Sequence, residues 1–363
     1  MKDMNENSKR HVDSCRFCWM CRHICPIGNA TGLERHTSRA RALGISLVNR
    51  GTLELKNVID NVYECACCGA CTKECVTGWD PVIFTKEARL DGALEGVLPE
   101  YINRMVDNCL EKGNAYGITA IDHALGHAIE RHAAFKDTLL FLGVDARYKA
   151  AEAAIKAIQV LEKAGVEFTV LEQEPPSGWQ LEYLVSAANE TNVQMKQCAE
   201  ILNNFGSIIV FDPQDAKVFK REYKEWGVRI ETGVETFTSY LAGLLREKRL
   251  NPGADKVEVA YQDPFQLSRD LGETEEARMV IRAYAVCKEM LCHGKDTMWA
   301  GNILMKEWMP EVILQVAAAR IRNARNVRVN TIVTASVSEY VSLKDVEQND
   351  VKIVSLEELI LGE

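Results

Sequence analysis

Apolar residues recur at helical spacing through the first third of the chain. LERHTSRARALGISLV and LELKNVIDNVYEC carry apolar side chains three and four positions apart, which predicts helices over residues 33–48 and 53–65. The pattern continues through PVIFTKEARLDGALEGVL, YINRMVDNCLEKGN and AIDHALGHAIERHAAF, so residues 81–136 also read as helix. From residue 137 short β-branched runs alternate with helical stretches, which predicts a parallel α/β layer.

That second pattern repeats. DTLLFLGVDARY opens one half and KVEVAYQDPFQLSR the other. FGSIIVFDPQDAKVFKREY corresponds to VNTIVTASVSEYVSLKDV, and GVRIETGVETFTSYLAGLL to VKIVSLEELILGE. Ile208 to Ile332 is 124 positions and Ile230 to Ile353 is 123. Two related α/β subdomains of roughly 110 residues follow, arranged about a pseudo-twofold. The expected organisation is a disordered tail over 1–12, a helical domain over 13–100, a helical connector over 101–136, and α/β repeats over 137–250 and 251–363. The fold class is α plus α/β.

Composition narrows the function classes. A net charge of −9 argues against nucleic acid as a partner. No stretch of about 18 apolar residues is present to span a bilayer. No apolar N-terminal segment directs secretion, which predicts a reducing, cytoplasmic setting. Basic residues cluster at Arg35, His36, Arg39, Arg41 and Arg50, as a solvated helix face or a docking face for an acidic partner. His123 and His127 share one helix face, but no third ligand stands at a telling spacing.

Nine of the thirteen cysteines lie in two runs of the form C-x2-C-x2-C-x3-C. The first is Cys15, Cys18, Cys21 and Cys25, followed by Pro26. The second is Cys65, Cys68, Cys71 and Cys75, with Cys67 as a spectator and Val76 in the proline position. Soft thiolates are the ligands that iron in a cubane takes, one per iron. Gly69 and Ala70 allow close backbone approach to sulfur. Zinc is the rival reading of paired CxxC elements, although zinc sites use two pairs across a long gap.

The spacing resembles that of bacterial two-cluster ferredoxins, in which the fourth cysteine of each run ligates the other cluster. That resemblance implies two [4Fe-4S] clusters, one held by Cys15, Cys18, Cys21 and Cys75, the other by Cys65, Cys68, Cys71 and Cys25. The helical stretch between the runs is similar to the all-helical ferredoxin module of respiratory iron–sulfur subunits. Over nearly its whole length the chain resembles one family. Its members are iron–sulfur subunits related to the D subunit of heterodisulfide reductase, the C subunit of anaerobic glycerol-3-phosphate dehydrogenase, and the glycolate and lactate oxidation subunits. SCRFCWMCRHICP and YECACCGACTKEC carry the likeness.

Family members continue with two cysteine-rich repeats. Here the scaffold is similar and the cysteines are replaced: Val144 in FLGV, Pro175, Pro176 and Ser177 in EPPSGW, and Asp212 and Asp215 in FDPQD. In the second repeat Gln262, Phe265 and Gln266, then His293 beside Cys292, then Ser336 and Ser338 stand at the corresponding places. The disulfide-cleaving chemistry is therefore not expected, and Asp263, Arg269, Cys292 and His293 are the residues to watch. Cys109, Cys198 and Cys287 read as core cysteines.

No G-x-G-x-x-G follows a strand, so a flavin belongs to another subunit. The resemblance implies an electron-transfer subunit between a flavin-containing dehydrogenase subunit and a further redox partner, within a hetero-oligomer. The alternative is a heterodisulfide-reductase-like enzyme with a modified site in the C-terminal repeats. A third reading is an adaptor whose clusters mainly hold the fold.

Overall fold

The computed structural model describes residues 15–253, 256–347 and 350–362. The tail expected over 1–12 lies outside them. The cysteine-bearing part is helical: α1 (Pro26–Thr31), α2 (Ser38–Asn49), α3 (Ile59–Tyr63), α4 (Ala70–Lys73) and α5 (Pro81–Leu94). Local chemistry sets its helix starts. Thr37 accepts from Ala40 N at the head of α2. Asp80 accepts from Val82 N at the head of α5, with Pro81 in the first turn. Then α6 (Glu100–Lys112) and α7 (His123–Glu130) lead to the sheets.

The first half holds β1 (Thr138–Phe141), α8 (Val144–Lys149), α9 (Ala151–Lys163), α10 (Trp179–Val185) and α11 (Asn189–Leu202). It continues with β2 (Ser207–Val210), α12 (Pro213–Lys217), a π-turn over Val218–Glu222, β3 (Gly233–Thr236) and α13 (Phe237–Arg246). The second half holds β4 (Val257–Gln262), a π-turn over Gln266–Asp270, α14 (Glu276–Tyr284) and β5 (Ala285–Lys288). It ends with α15 (Ile303–Lys306), α16 (Pro310–Asn326), β6 (Thr331–Thr334), α17 (Val337–Lys344), β7 (Lys352–Ser355) and α18 (Leu356–Leu361). The sheets run β1-β2-β3 and β5-β4-β6-β7, parallel throughout.

The register aligns the halves and corrects one expectation. Ile208 on β2 lies opposite Leu139, and Ile332 on β6 opposite Ala260. The expected correspondence of Ile230 with Ile353 fails. Val234, not Ile230, pairs with Ile208, as Ile353 pairs with Ile332. Ile230 precedes β3 in a loop, and the offset there is 119. The marker is the cap, since Thr236 starts α13 and Ser355 starts α18 with the same side-chain bond to the third backbone N–H.

Strand alternation divides the core. Leu139 and Phe141 face the helical part, whereas Leu140 and Leu142 face a core between the sheets, shared with Val259, Tyr261 and Val333. Helices α9, α13, α14 and α18 fill that space. Contacts across it are reciprocal: α13 packs on α14 and α18 on α9, while α12 packs on the Gln266–Asp270 turn and α17 on α8. Both sheets are thus covered on both faces, as all-parallel sheets require.

Candidate metal centre

The second cysteine run is held where the helical part meets the first half. Tyr63 donates to Leu184 O and Tyr183 donates to Cys65 O, both at 2.7 Å, so the two elements lock reciprocally. Cys65, Cys67 and Cys68 occupy the turn between α3 and α4. Cys67 (φ 51°) and Gly69 (φ 73°) take left-handed backbone there, which bends the chain tightly enough to present successive sulfurs. Cys65, Cys67 and Cys68 are buried.

The fourth member of that group comes from the first run. Cys25 caps α1, receives Gly28 N on its sulfur at 3.4 Å, and is buried. Burial pushes its thiol up to about 11, Arg41 opposes the rise, and the nearby Cys68 and Cys65 add to it. Cys71 is raised for the same reason, burial first and then Cys65, Cys68 and Cys25. Conversely, Cys75 approaches the first run. Burial raises Cys15, with Cys21, Cys75 and Cys18 as its charged neighbours. Cys15, Cys18, Cys21 and Cys75 line one small cavity with Trp79, and Cys71 borders it from the inner side. The neighbours of Cys25 are thus Cys65 and Cys68, and those of Cys15 are Cys21, Cys75 and Cys18.

The surroundings fit a sulfur-rich anionic group. Trp79 Nε1, near the first set, and Arg41 Nε and Arg89 Nε, near the second, are buried without a partner, and Ser38 bonds to the Cys21 thiol. Such donors bond readily to cluster sulfur. Among the described residues no three His, Cys, Asp or Glu side chains converge as a single metal ion would need. Soft thiolates are the donor type that a cubane takes. Cys67 is bonded to Cys65, which lowers the Cys65 thiol and raises that of Cys67.

Sequence reasoning misses the arginines. The basic cluster reads as a surface face, but Arg41 and His36 are buried, at 3 % and 6 % exposed. Arg41 Nη1 donates to His36 O at 3.1 Å. Arg89 is fully buried between the rings of Tyr63 and Tyr183, 4.9 and 4.4 Å away, and donates to Val62, Cys65 and Tyr183 carbonyls. Arg269 Nε reaches Cys68 O at 2.9 Å from the second half. A lone arginine in an amphipathic helix carries no signal of such a role, because the partner segments are distant in sequence. Behind this group opens a cleft of about 800 Å³, lined by Cys67, Gly69, Lys86, Lys217 and residues of both π-turns.

The C-terminal cradles hold oxygen and nitrogen where the family has sulfur. In the first, Ser177 donates to Asp215 and Gln214 N to Asp212. A Cβ at Gly143 would stand 2.1 Å from Asp215 Oδ2. In the second, the 124-residue offset puts Glu339, not Ser338, opposite Asp215. Glu339 accepts from Gln262 and Ala300 N. Asp263 is clamped by Arg278 at 2.6 and 2.9 Å. His293 is exposed, and Cys292 is half-buried with φ 56°. Cys109 and Cys198 are core residues, but Cys287 lies half-buried on β5. His123 and His127 stack edge-on at 4.3 Å on the exposed face of α7. No helix of the described residues is long and apolar enough to cross a membrane.

Comparison with known proteins points to iron–sulfur proteins. A family model described as a 4Fe-4S dicluster domain matches residues 11–79. The D subunit of the dihydromethanophenazine:CoB–CoM heterodisulfide reductase of Methanosarcina acetivorans is 23 % identical over 92 % of this chain and 88 % of its own. The Methanosarcina mazei protein of the same description is 23 % identical over 89 % and 86 %. A probable membrane-anchored ferredoxin of Chromohalobacter salexigens is 27 % identical over 71 % of this chain, which spans 39 % of that protein. The chain is thus a homologue of the heterodisulfide reductase D subunits, and its first part matches a 4Fe-4S dicluster domain.

Proposed function

We propose that this protein is the electron-transfer subunit of a multi-subunit oxidoreductase, relaying single electrons through two [4Fe-4S] clusters. Cys15, Cys18, Cys21 and Cys75 hold one cluster, and Cys65, Cys68, Cys71 and Cys25 the other. The observation that supports this reading is the neighbourhood of the thiols, with Cys75 beside Cys15 and Cys25 beside Cys65, Cys68 and Cys71. Cys71 also borders the first cavity, but its charged neighbours are Cys65, Cys68 and Cys25, which favours the second set. When bound, such a cube takes up and returns one electron at a time.

The chain's own residues hold and shield the site. Gly28, Phe17 and Cys67 backbone N–H groups donate to Cys25, Cys15 and Cys65 sulfurs, each at 3.4 Å. Tyr63, Tyr183 and Arg89 keep water from the inner set. Substrate chemistry then belongs to a flavin-containing dehydrogenase subunit, and the electrons pass on to a second redox partner. The helical domain (13–100) and connector (101–136) carry the transfer, and the α/β repeats (137–250 and 251–363) form a pseudo-twofold scaffold. The reciprocal helix packing supports that relation. The complex sits in the cytoplasm, at the membrane only through a partner.

The test is iron and acid-labile sulfide content with EPR on anaerobically purified, dithionite-reduced protein. About eight iron per chain with interacting S = 1/2 signals supports the reading, and about four contradicts it. Cys68→Ser should abolish partner-linked turnover while the complex still assembles.

A further inference from the structure

The two cysteine sets differ in the charge around them. Arg41, Arg89 and Arg269 border the inner set of Cys65, Cys68, Cys71 and Cys25. Arg41 and Arg89 are buried, and Arg269 is half-buried. Their donors go to main-chain carbonyls: Arg41 to His36, Arg89 to Tyr183, Val62 and Cys65, and Arg269 to Cys68, Lys295 and Thr297. Among the described residues none of the three has a carboxylate within ion-pair distance. One nitrogen of each, Arg41 Nε, Arg89 Nε and Arg269 Nη2, is buried with no partner. Asp270, the acid that bears on Cys68, is itself held by Arg221 at 3.0 Å and Lys217 at 4.0 Å.

The outer set is different. Cys18 is exposed, and Cys15, Cys21 and Cys75 are partly so. Arg16 and Arg39 border its cavity, and Arg16 is exposed. Arg22 and Arg39 lie over the exposed ring of Trp19 and share Glu34, at 3.3 and 2.7 Å. Solvent screens them. Backbone N–H bonds to sulfur occur in both sets, so they do not separate the two.

We infer that the inner set carries the higher reduction potential, set by Arg41, Arg89 and Arg269, and that electrons run inward from the exposed set to the buried one. The inference rests on the two-cube reading. Reduction adds one negative charge, which uncompensated cations stabilise. Burial opposes this by removing water. Here the cations replace that water, and in a dry site their attraction is several-fold stronger than in solvent. The positioning role is electrostatic, with no bond made or broken at the guanidiniums.

The test is an EPR-monitored redox titration of the full chain, purified anaerobically, with Arg269→Gln as the principal variant because that side chain is half-exposed. Arg89→Met is the second variant. The signal that appears first on reduction should be the one missing in Cys68→Ser. Its midpoint should move lower in Arg269→Gln, while the other midpoint stays. If the first signal is instead the one missing in Cys18→Ser, the inference is overturned. It is equally overturned by about eight iron per chain with both midpoints unmoved in Arg269→Gln. About four iron in the wild type would overturn the two-cube reading and this inference together.

Discussion

Ser338 Oγ donates to Asp145 Oδ2 at 2.5 Å, joining α17 of the second half to α8 of the first. Asp145 also accepts from Tyr116 at 2.6 Å and Gln180 at 3.4 Å, so one buried carboxyl ties the connector and both halves. The bond crosses 193 residues of sequence. Ser338→Ala leaves one buried oxygen of Asp145 without its donor. The expected cost is about 1–3 kcal/mol, read as a lower urea midpoint with an unchanged slope.

The buried acids make stability depend on pH. Burial pushes Asp212 up to about 8, and the charge of Asp145 adds to it against the bond from Gln214 N. Burial also pushes Glu339 up to about 8, and raises Asp215 well above its ordinary value. Each group binds its proton more tightly folded than unfolded. For Asp212 and Glu339 the stabilising contribution is therefore complete below about pH 4 and falls as pH rises through about 8. Asp212→Asn keeps the cap of α12 and cannot ionise. Urea titrations from pH 5 to 9 should show a flatter profile for the variant, and the variant should be the more stable protein at pH 8. A parallel profile would mean that Asp212 is ionised in the fold.

Iron content separates the roles of the cysteines. Cys25→Ser changes a residue of the first run but should remove the inner signal, because that side chain stands with Cys65, Cys68 and Cys71. Cys75→Ser should remove the outer one. Cys67→Ser should keep about eight iron, since the Cys67 thiol is hydrogen-bonded to Cys65 and stands outside the C-x2-C-x2-C-x3-C spacing. Paired loss within each run, Cys25 with Cys15 for example, would contradict the exchange.

Much of this is legible in the sequence, for identifiable reasons. Cysteine spacing is a local signal, and helical periodicity places α2, α5, α6 and α7 to within a few residues. The expected repeat rests on β2 and β6, which carry similar β-branched runs at an offset of 124. The third strand is misaligned because VRI and VET offer two rival runs, headed by Val228 and Val234, and only pairing with Ile208 decides between them. Among the described residues, the edge strand β5 is matched in the first half by no more than a single bridge from Leu139 to Thr169. The arginines are illegible for a different reason: Arg89 is placed through Tyr183, 94 residues away, and Arg269 through Cys68, 201 residues away.

Gly143 tests how tightly the first cradle is closed. It sits at φ 89°, directly after β1, and donates to Glu174 Oε1 at 2.8 Å while Leu142 N donates to Oε2 at 2.7 Å. Its Cα faces Asp215 so closely that a methyl group would lie 2.1 Å from one carboxyl oxygen and 3.3 Å from Asp212 Cβ. Gly143→Ala therefore meets two penalties, left-handed backbone for a residue with a Cβ and displacement of a buried acid that Ser177 holds. The expected loss is at least about 2 kcal/mol, measured by chemical denaturation. The cysteine sets lie in another part of the chain, so iron content should stay at the wild-type value. Loss of iron without loss of stability would instead mean that this cradle and the cluster-bearing domain are coupled through α10.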